Sequence, residues 1–232
     1  SAHFQTKIYT GNGSSGHATT FDGNANMQPD WLWNKVRGAS DSHAMFDSSR
    51  GVNKILFPNV TTVEATDGNG NLESFDSNGF TVGGNQYYAN NNNSTQVTWA
   101  WKVGGGSTSN NTDGDITSSV QTNTTAGISI VTYTGNGTDG NSVGTGLSGT
   151  WDLVIFKNRG ATDYWTVDYD PTNGDNKILL LHDQVGQAGH GTAHVQGPSS
   201  GLMSLHSNGD LTMVNGSSEN YVAYVFKQVQ GF

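Results

Sequence analysis

Glycoside cleavage needs two carboxylates held roughly 5 to 10 Å apart, one serving as acid and the other as nucleophile or base. The chain has only three glutamates, Glu64, Glu73 and Glu219, in no ExDxxE pattern. Asp168 and Asp170 flank Tyr169 on a strand-like run, a spacing that turns both carboxylates to one face. Asp170, however, precedes Pro171 in DPTNGD, where a carboxylate more naturally caps its own turn. HExxH and phosphate-loop patterns are absent, and without Cys there is no thiolate nucleophile. No catalytic residue is assigned, and the chain reads as a non-enzyme.

Metal chemistry has two places to start. Asp67, Asn69 and Asn71 in DGNGN set oxygen ligands on alternate residues, as a calcium loop does, and Asp113 with Asp115 repeats the theme. The Gly and distant Glu that complete an EF-hand loop are missing, and DGNGN is also a good turn. His182, His190 and His194 fall close together beside Asp183, but HxxxH is helical spacing and Gly189 and Gly191 oppose a helix. An exposed loop accounts for them. No metal or other cofactor is assigned, with Asp67, Asn69 and Asn71 as the fallback ligands.

Aromatic rings offer a third chemistry, because an exposed ring stacks on the apolar face of a pyranose while nearby amides bond its hydroxyls. Trp31 and Trp33 share a strand face, as do Trp99 and Trp101. Buried strands place aromatics in the same way, so these four are expected in the core. Tyr87 and Tyr88, in GGNQYYANNNN between two strand signals, are the better candidates for contact with a ligand or another subunit, together with His190 and His194. The NxS/T sites at Asn12, Asn59, Asn93, Asn136 and Asn215 read as turns and receive no role.

The elements that would position these residues come in two sets. YTGNG at 9–13 recurs at 133–137, RGASD at 37–41 as RGATD at 159–163, and NKIL at 53–56 at 176–179. SNG at 77–79 recurs at 207–209, and VTWAWK ending at Lys102 is answered by VAYVFK ending at Lys227. The order is kept and the offsets stay between about 122 and 130 residues, which indicates an internal duplication. Linker-like composition from Gly104 to Asp115 puts the boundary at Gly106, giving repeats 1–106 and 107–232. The alignment makes Trp33 and Phe156, or their strand neighbours, equivalent core positions, and likewise Trp101 and Phe226.

Alternation at Val97, Trp99, Trp101 and Val103, at Trp165, Val167 and Tyr169, and at Val222, Tyr224 and Phe226 predicts strands, with turns every 8 to 15 residues. No long helix is predicted, although Asn53 to Val63 has room for a helical turn. Many short strands with polar turns predict an all-β chain of two tandem sandwiches. Ten Lys and Arg against nineteen Asp and Glu, with the cations scattered, argue against nucleic acid and anionic membrane as partners. The N-terminus lacks a signal-peptide core, and no apolar run approaches membrane-spanning length.

The repeated landmarks, with PDWLWNKVRGASDSH, FDSSRGVNKIL, LESFDSNGFTVGG and VTWAWKVGGG in the first half and TAGISIVTYTGNG, LVIFKNRGATD, KILLLHD and YVAYVFKQVQGF in the second, resemble the tandem repeats of a marine-phage family of concanavalin-like, tail-fibre-like proteins. That resemblance implies lectin-like jelly-roll units in a virion structural protein displayed on the particle surface, outside the cell. The part it implies is a tail fibre, appendage or head decoration with an adhesion or host-recognition role. The partners it implies are other virion proteins or copies of the chain itself in a homo-oligomer, and a host surface glycan. A free-standing carbohydrate-binding module is the alternative, followed by a polysaccharide-degrading enzyme. The second repeat departs from the pattern between Gln184 and Pro198. The unmatched loops Gly84 to Thr95 and Gln184 to Ser200 are where individual function is expected.

Overall fold

The computed structural model describes every residue except 67, 69, 85–86, 170–176, 184–187, 190–194, 197–200, 207–209 and 231–232. The described chain is nearly all β and divides into two compact units, Ser1–Asn59 with Glu64–Gly106, and Val60–Val63 with Ser107–Phe232. The division at Gly106 therefore leaves one exception, since Val60–Val63 groups with the second unit.

The first unit contains β1 (Phe4–Thr10), β2 (His17–Thr20), β3 (Trp31–Val36), β4 (Ala44–Asp47), β5 (Lys54–Ile55), β6 (Ala65–Thr66), β7 (Leu72–Asp76), β8 (Gly79–Val82) and β9 (Thr95–Trp101). Antiparallel sheets β1-β9-β3-β4 and β2-β8-β7 contribute to a common core. Tyr9, Leu32, Ala44, Phe46 and Ala100 come from the first sheet, and Leu72, Phe80 and Val82 from the second. The helical turn allowed for residues 53–63 gives way to β5, which pairs with β6.

The second unit contains β10 (Ser109–Asn111), β11 (Ser118–Asn123), β12 (Ile128–Thr134), β13 (Ser142–Gly144), β14 (Leu153–Asn158), β15 (Trp165–Tyr169), β16 (Lys177–Leu180), β17 (Ala188–Gly189), β18 (Val195–Gln196), β19 (Leu202–Leu205), α1 (Thr212–Asn215) and β20 (Asn220–Phe226). Its large sheet runs β10-β11-β12-β20-β14-β15-β16-β17, and β13-β19-β18 forms a smaller one. Val131, Val154, Phe156 and Val225 from the former join Val143, Met203 and Leu205 from the latter in one core. Ser109–Asn111 looked like linker, yet it pairs with β11, because cross-strand partners override a weak intrinsic preference.

The same bonds recur in both units. Tyr9 donates its hydroxyl to the Ala89 carbonyl at 2.7 Å, and Tyr133 donates to that of Val214 at 2.5 Å. Asn90 Oδ1 accepts the Asn12 backbone N–H at 2.9 Å, while Asn215 Oδ1 accepts that of Asn136 at 2.9 Å. The Asn90 amide returns bonds to Asn12 Oδ1 and the Ser14 carbonyl, and the Asn215 amide to Asn136 Oδ1 and the Thr138 carbonyl. A Cβ on Gly11 or Gly135 would overlap the facing backbone at Asn91 or Gly216, and Gly13 and Gly137 take φ of 68° and 73°. YTGNG is thus a clasp that needs its glycines for closeness and its left-handed turn.

The ladders agree with this spacing. Trp31 opposes Trp101 and Leu153 opposes Phe226, so Trp101 and Phe226 hold corresponding rungs. On the same count Trp33 corresponds to Ile155, the strand neighbour of Phe156. The Ser77–Gly79 landmark leads into β8, whereas 207–209 lies outside the described residues.

Candidate functional site

Along β9 the sequence TQVTWAW alternates polar or small residues with bulky apolar ones, and the small set is the one that faces the core. Gln96, Thr98 and Ala100 are buried, while Val97, Trp99 and Trp101 are only half-buried. The same inversion holds on β1, where Gln5 and Tyr9 point inward and Phe4, Thr6 and Ile8 outward. On β3, Leu32 and Asn34 are buried inward and Trp33 is half-buried on the outer face. The expectation that Trp31, Trp33, Trp99 and Trp101 are core residues holds for Trp31, which is buried, and is corrected for Trp33, Trp99 and Trp101, which stand half-buried on the opposite face of the sheet.

Buried hydrogen bonds make a partly polar interior tolerable, because a satisfied amide costs little to bury. Asn34 donates to Gln96 Oε1 at 3.1 Å and to the Tyr88 carbonyl, and it accepts from Tyr9 and Thr98. Gln5 donates to the Ala25 carbonyl at 2.8 Å. The bulky residues are released to the outer face.

There they form a row of ring contacts across β1, β9 and β3 that ends at His43, just ahead of β4. Phe4 and Trp101 have centroids 5.0 Å apart, Trp101 stacks on Trp31 at 4.3 Å, and Trp33 follows at 6.3 Å. Trp33 meets His43 edge-on at 6.0 Å and donates its indole N–H to His43 Nδ1 at 2.9 Å. Burial, then the nearby Lys35 charge, hold the His43 imidazole below its ordinary range, which suits its role as acceptor. Trp31 is itself buried within the row, whereas Phe4 is 36% and Ile8 57% exposed. In the second unit the rung that matches Phe4, Trp101 and Trp31 is Ile128, Phe226 and Leu153, of which Ile128 is buried and the other two half-buried, and Ile130, Tyr224 and Ile155 on the next rung of that face are buried. The aromatic shelf belongs to the first unit alone.

Two clasps fix its ends. Asp30, fully buried beside Trp31, accepts the Val103 and Gly105 N–H groups at 2.6 and 2.9 Å and the Ser48 hydroxyl at 3.0 Å. Arg50 bonds Asp47 at 2.5 Å and Glu64 at 3.0 Å with the Arg50 and Asp47 side chains fully buried, closing the β4 side.

The other singled-out residues are more dispersed. Tyr87 is 68% exposed, but Tyr88 is half-buried, packs on Phe57 at 4.8 Å and joins the core margin. His182 stacks on Tyr164 at 5.1 Å and accepts the Trp165 N–H, while His190 and His194 lie outside the described residues. Asp67 and Asn69 also lie outside them; Asn71 is buried and accepts the Gly83 N–H on its carbonyl. Among the described residues no group of three or more His, Asp or Glu is placed to hold a metal. Asp170 is outside the described residues, and Asp168 points inward beside Val154 and is only 3% exposed. Its Oδ2 has no partner among the described residues, and burial pushes its carboxyl up to about 8.

Fold and site together define an all-β, sandwich-like protein whose first unit turns a row of half-buried aromatic rings away from the sheet's core-facing side. The chain belongs to a family, the domain of unknown function DUF7483, whose model matches residues 1–232. No curated protein and no solved structure matches it.

Proposed function

We propose that this chain is a structural module displayed on the surface of a phage particle, in a tail fibre, appendage or head decoration, and that its aromatic shelf contacts glycans of the host surface. The observation that carries the reading is the inverted first sheet, which leaves Phe4, Ile8, Val97, Trp33, Trp99 and Trp101 on an outer face when polar residues fill the inner one. A contiguous apolar face kept at the cost of burying amides marks a binding surface. Rings spaced a strand apart suit successive pyranoses.

The two units are read as tandem copies of one lectin-like jelly roll. Support comes from the recurring asparagine clasps and the corresponding ladder rungs at the repeated sequence landmarks. Display on a particle rests on the resemblance of those landmarks to phage tail-fibre repeats, and implies copies of this chain or other virion proteins as neighbours. A free-standing carbohydrate-binding module is the second reading, favoured by the same shelf.

Particle location and cell adsorption separate the two. Antibody against the chain should label intact particles, and the purified chain should block their adsorption to host cells, whereas a Trp33→Ala, Trp99→Ala double variant should not. A chain absent from particles that still binds glycan would leave only the free-standing module, and unimpaired blocking by the double variant would remove the shelf from the account.

A further inference from the structure

The first unit leaves a long sheet edge open. β1 stands at the end of its four-stranded sheet, with β9 on one side and no strand on the other among the described residues. At its two ends the Lys102 N–H bonds the His3 carbonyl and the Gly11 N–H bonds the Ser94 carbonyl, both at 2.9 Å, so the odd-numbered residues bond β9. Backbone groups alternate sides along an antiparallel strand, and the N–H and C=O of Thr6, Ile8 and Thr10 therefore point to the open edge. The Phe4 N–H on that side reaches only the exposed Ser1 hydroxyl, at 3.2 Å.

The second unit shows what such an edge takes. Gly127 and Gly135 bond β20 as His3 and Gly11 bond the β9 side, and Ile128, Ile130 and Thr132 of β12 oppose Asn123, Gln121 and Ser119 of β11. The YTGNG alignment matches Phe4, Thr6 and Ile8 to Ile128, Ile130 and Thr132. One unit has an added strand where the other has none. Sheets blunt open edges with Pro, bulges or free charges. β1 has no Pro, its register with β9 is unbroken, and its one charge, Lys7, is held by Asp22 at 2.9 Å. Phe4 and Ile8 stay exposed on its outer side.

We propose that β1 pairs antiparallel with β1 of a second copy about a two-fold axis at Thr6, joining the two sheets into one. This register sets Phe4 opposite Ile8 of the second copy and Ile8 opposite its Phe4, which makes two apolar cross-strand pairs, and sets Lys7 opposite Gln5. Sliding one strand by two residues brings Lys7 against Lys7 in one direction and takes Ile8 beyond the strand to Ala2 in the other. The self-complementary register is what selects a second copy as the occupant. The pairing uses the backbone of the edge and holds whether or not the shelf binds glycan.

Analytical ultracentrifugation of the full chain should show a monomer–dimer equilibrium, with the Thr6 and Ile8 amides gaining hydrogen-exchange protection as the dimer fills. Thr6→Pro removes an N–H that the ladder to β9 does not use, and Thr6→Lys sets two like charges face to face; both should lose the dimer, while Thr10→Lys and Trp99→Ala keep it. Hydrogen-bonded antiparallel partners lie about 5.5 Å apart at Cα, within disulfide reach. The chain has no Cys, so Thr6→Cys should give a disulfide-linked dimer on oxidation and Thr10→Cys should not. The proposal is overturned if the chain is monomeric at every concentration, if the dimer survives both Thr6 variants, or if Thr10→Cys cross-links as readily as Thr6→Cys. A dimer lost in Trp99→Ala also overturns it, by moving the contact to the shelf's face.

Discussion

Asp168 shows what a single buried charge does to the stability of its unit. Its carboxyl is raised to about 8 by desolvation, against about 3.9 in an unfolded chain. Between those values the folded state holds a proton that the unfolded state has released, so this group makes stability rise as pH falls from about 8 toward 4. Above pH 8 it is charged in both states and its burial is a net penalty. Asp168→Asn should therefore be more stable than the parent at pH 9, with the difference shrinking toward pH 5, as read by urea unfolding at both values. Equal stability differences at the two pH values would place the titration elsewhere. Asp168 also shows a limit of sequence spacing: alternation put Asp168 and Asp170 on one face without revealing that Asp168's face is the interior.

The tryptophans make the same point in reverse. Trp99→Ala should cost little stability, about 1 kcal/mol, because the ring is only half-buried, while Phe46→Ala in the core should cost about 3 to 5 kcal/mol. Thermal unfolding of the two variants decides which face carries the packing.

For whole elements, the strands at 95–101, 165–169 and 220–226 were legible because alternation reports them directly, whereas no strand pairing was. Which face of β9 points inward was not. Hydrophobicity assigns Trp99 and Trp101 to the core, and only the Asn34–Gln96–Thr98 network explains why amides and hydroxyls took that side instead. Nothing local in TQVTWAW announces its distant partners Tyr9 and Asn34.

The clasps were half legible. YTGNG was visible as a repeat, but Asn90 and Asn215, whose flanking sequences differ, were not recognised as its partners. Asn90→Ala removes the acceptor of the Asn12 N–H and both returning bonds, and should cost about 1 to 3 kcal/mol with loss of hydrogen-exchange protection at Asn12. Asn215→Ala should do the same at Asn136. Protection that survives in both would show that the clasps are dispensable.

The shelf's edge responds to pH through His43. The imidazole accepts from Trp33 only while Nδ1 is unprotonated, and its folded-state affinity for protons is depressed. The bond and its contribution to stability are thus present above the ordinary imidazole range and are lost as pH falls through the depressed value. The Trp33 indole N–H resonance should move on acidification in the parent and stay still in His43→Phe.

On the scale of the whole molecule, the chain's division into two units was legible from its repeats, but the membership of Val60–Val63 was not. In the second unit the buried Lys157 ammonium donates to the carbonyls of Thr61, Ala161 and Asp163, and the Trp165 indole donates to that of Val60 at 3.2 Å. Burial holds that ammonium down to about 8. A fragment spanning 107–232 lacks two of these acceptors and should unfold more easily than the same unit in the intact chain, by about 1 to 3 kcal/mol. A peptide covering 58–65 should restore the difference; a fragment as stable as the parent unit would show that those bonds contribute nothing.

The six tryptophans divide into the half-buried Trp33, Trp99 and Trp101 on the outward face of the first unit's sheet and the buried Trp31, Trp151 and Trp165, which gives the central claim an internal control. Indole N–H resonances of the full chain can be followed during titration with neutral hexasaccharides of glucose, mannose and N-acetylglucosamine. Saturable shifts at Trp33, Trp99 and Trp101, with Trp151 and Trp165 unmoved, are the predicted result. No shift with any sugar, or equal shifts at Trp151 and Trp165, would contradict the shelf as a glycan-binding face.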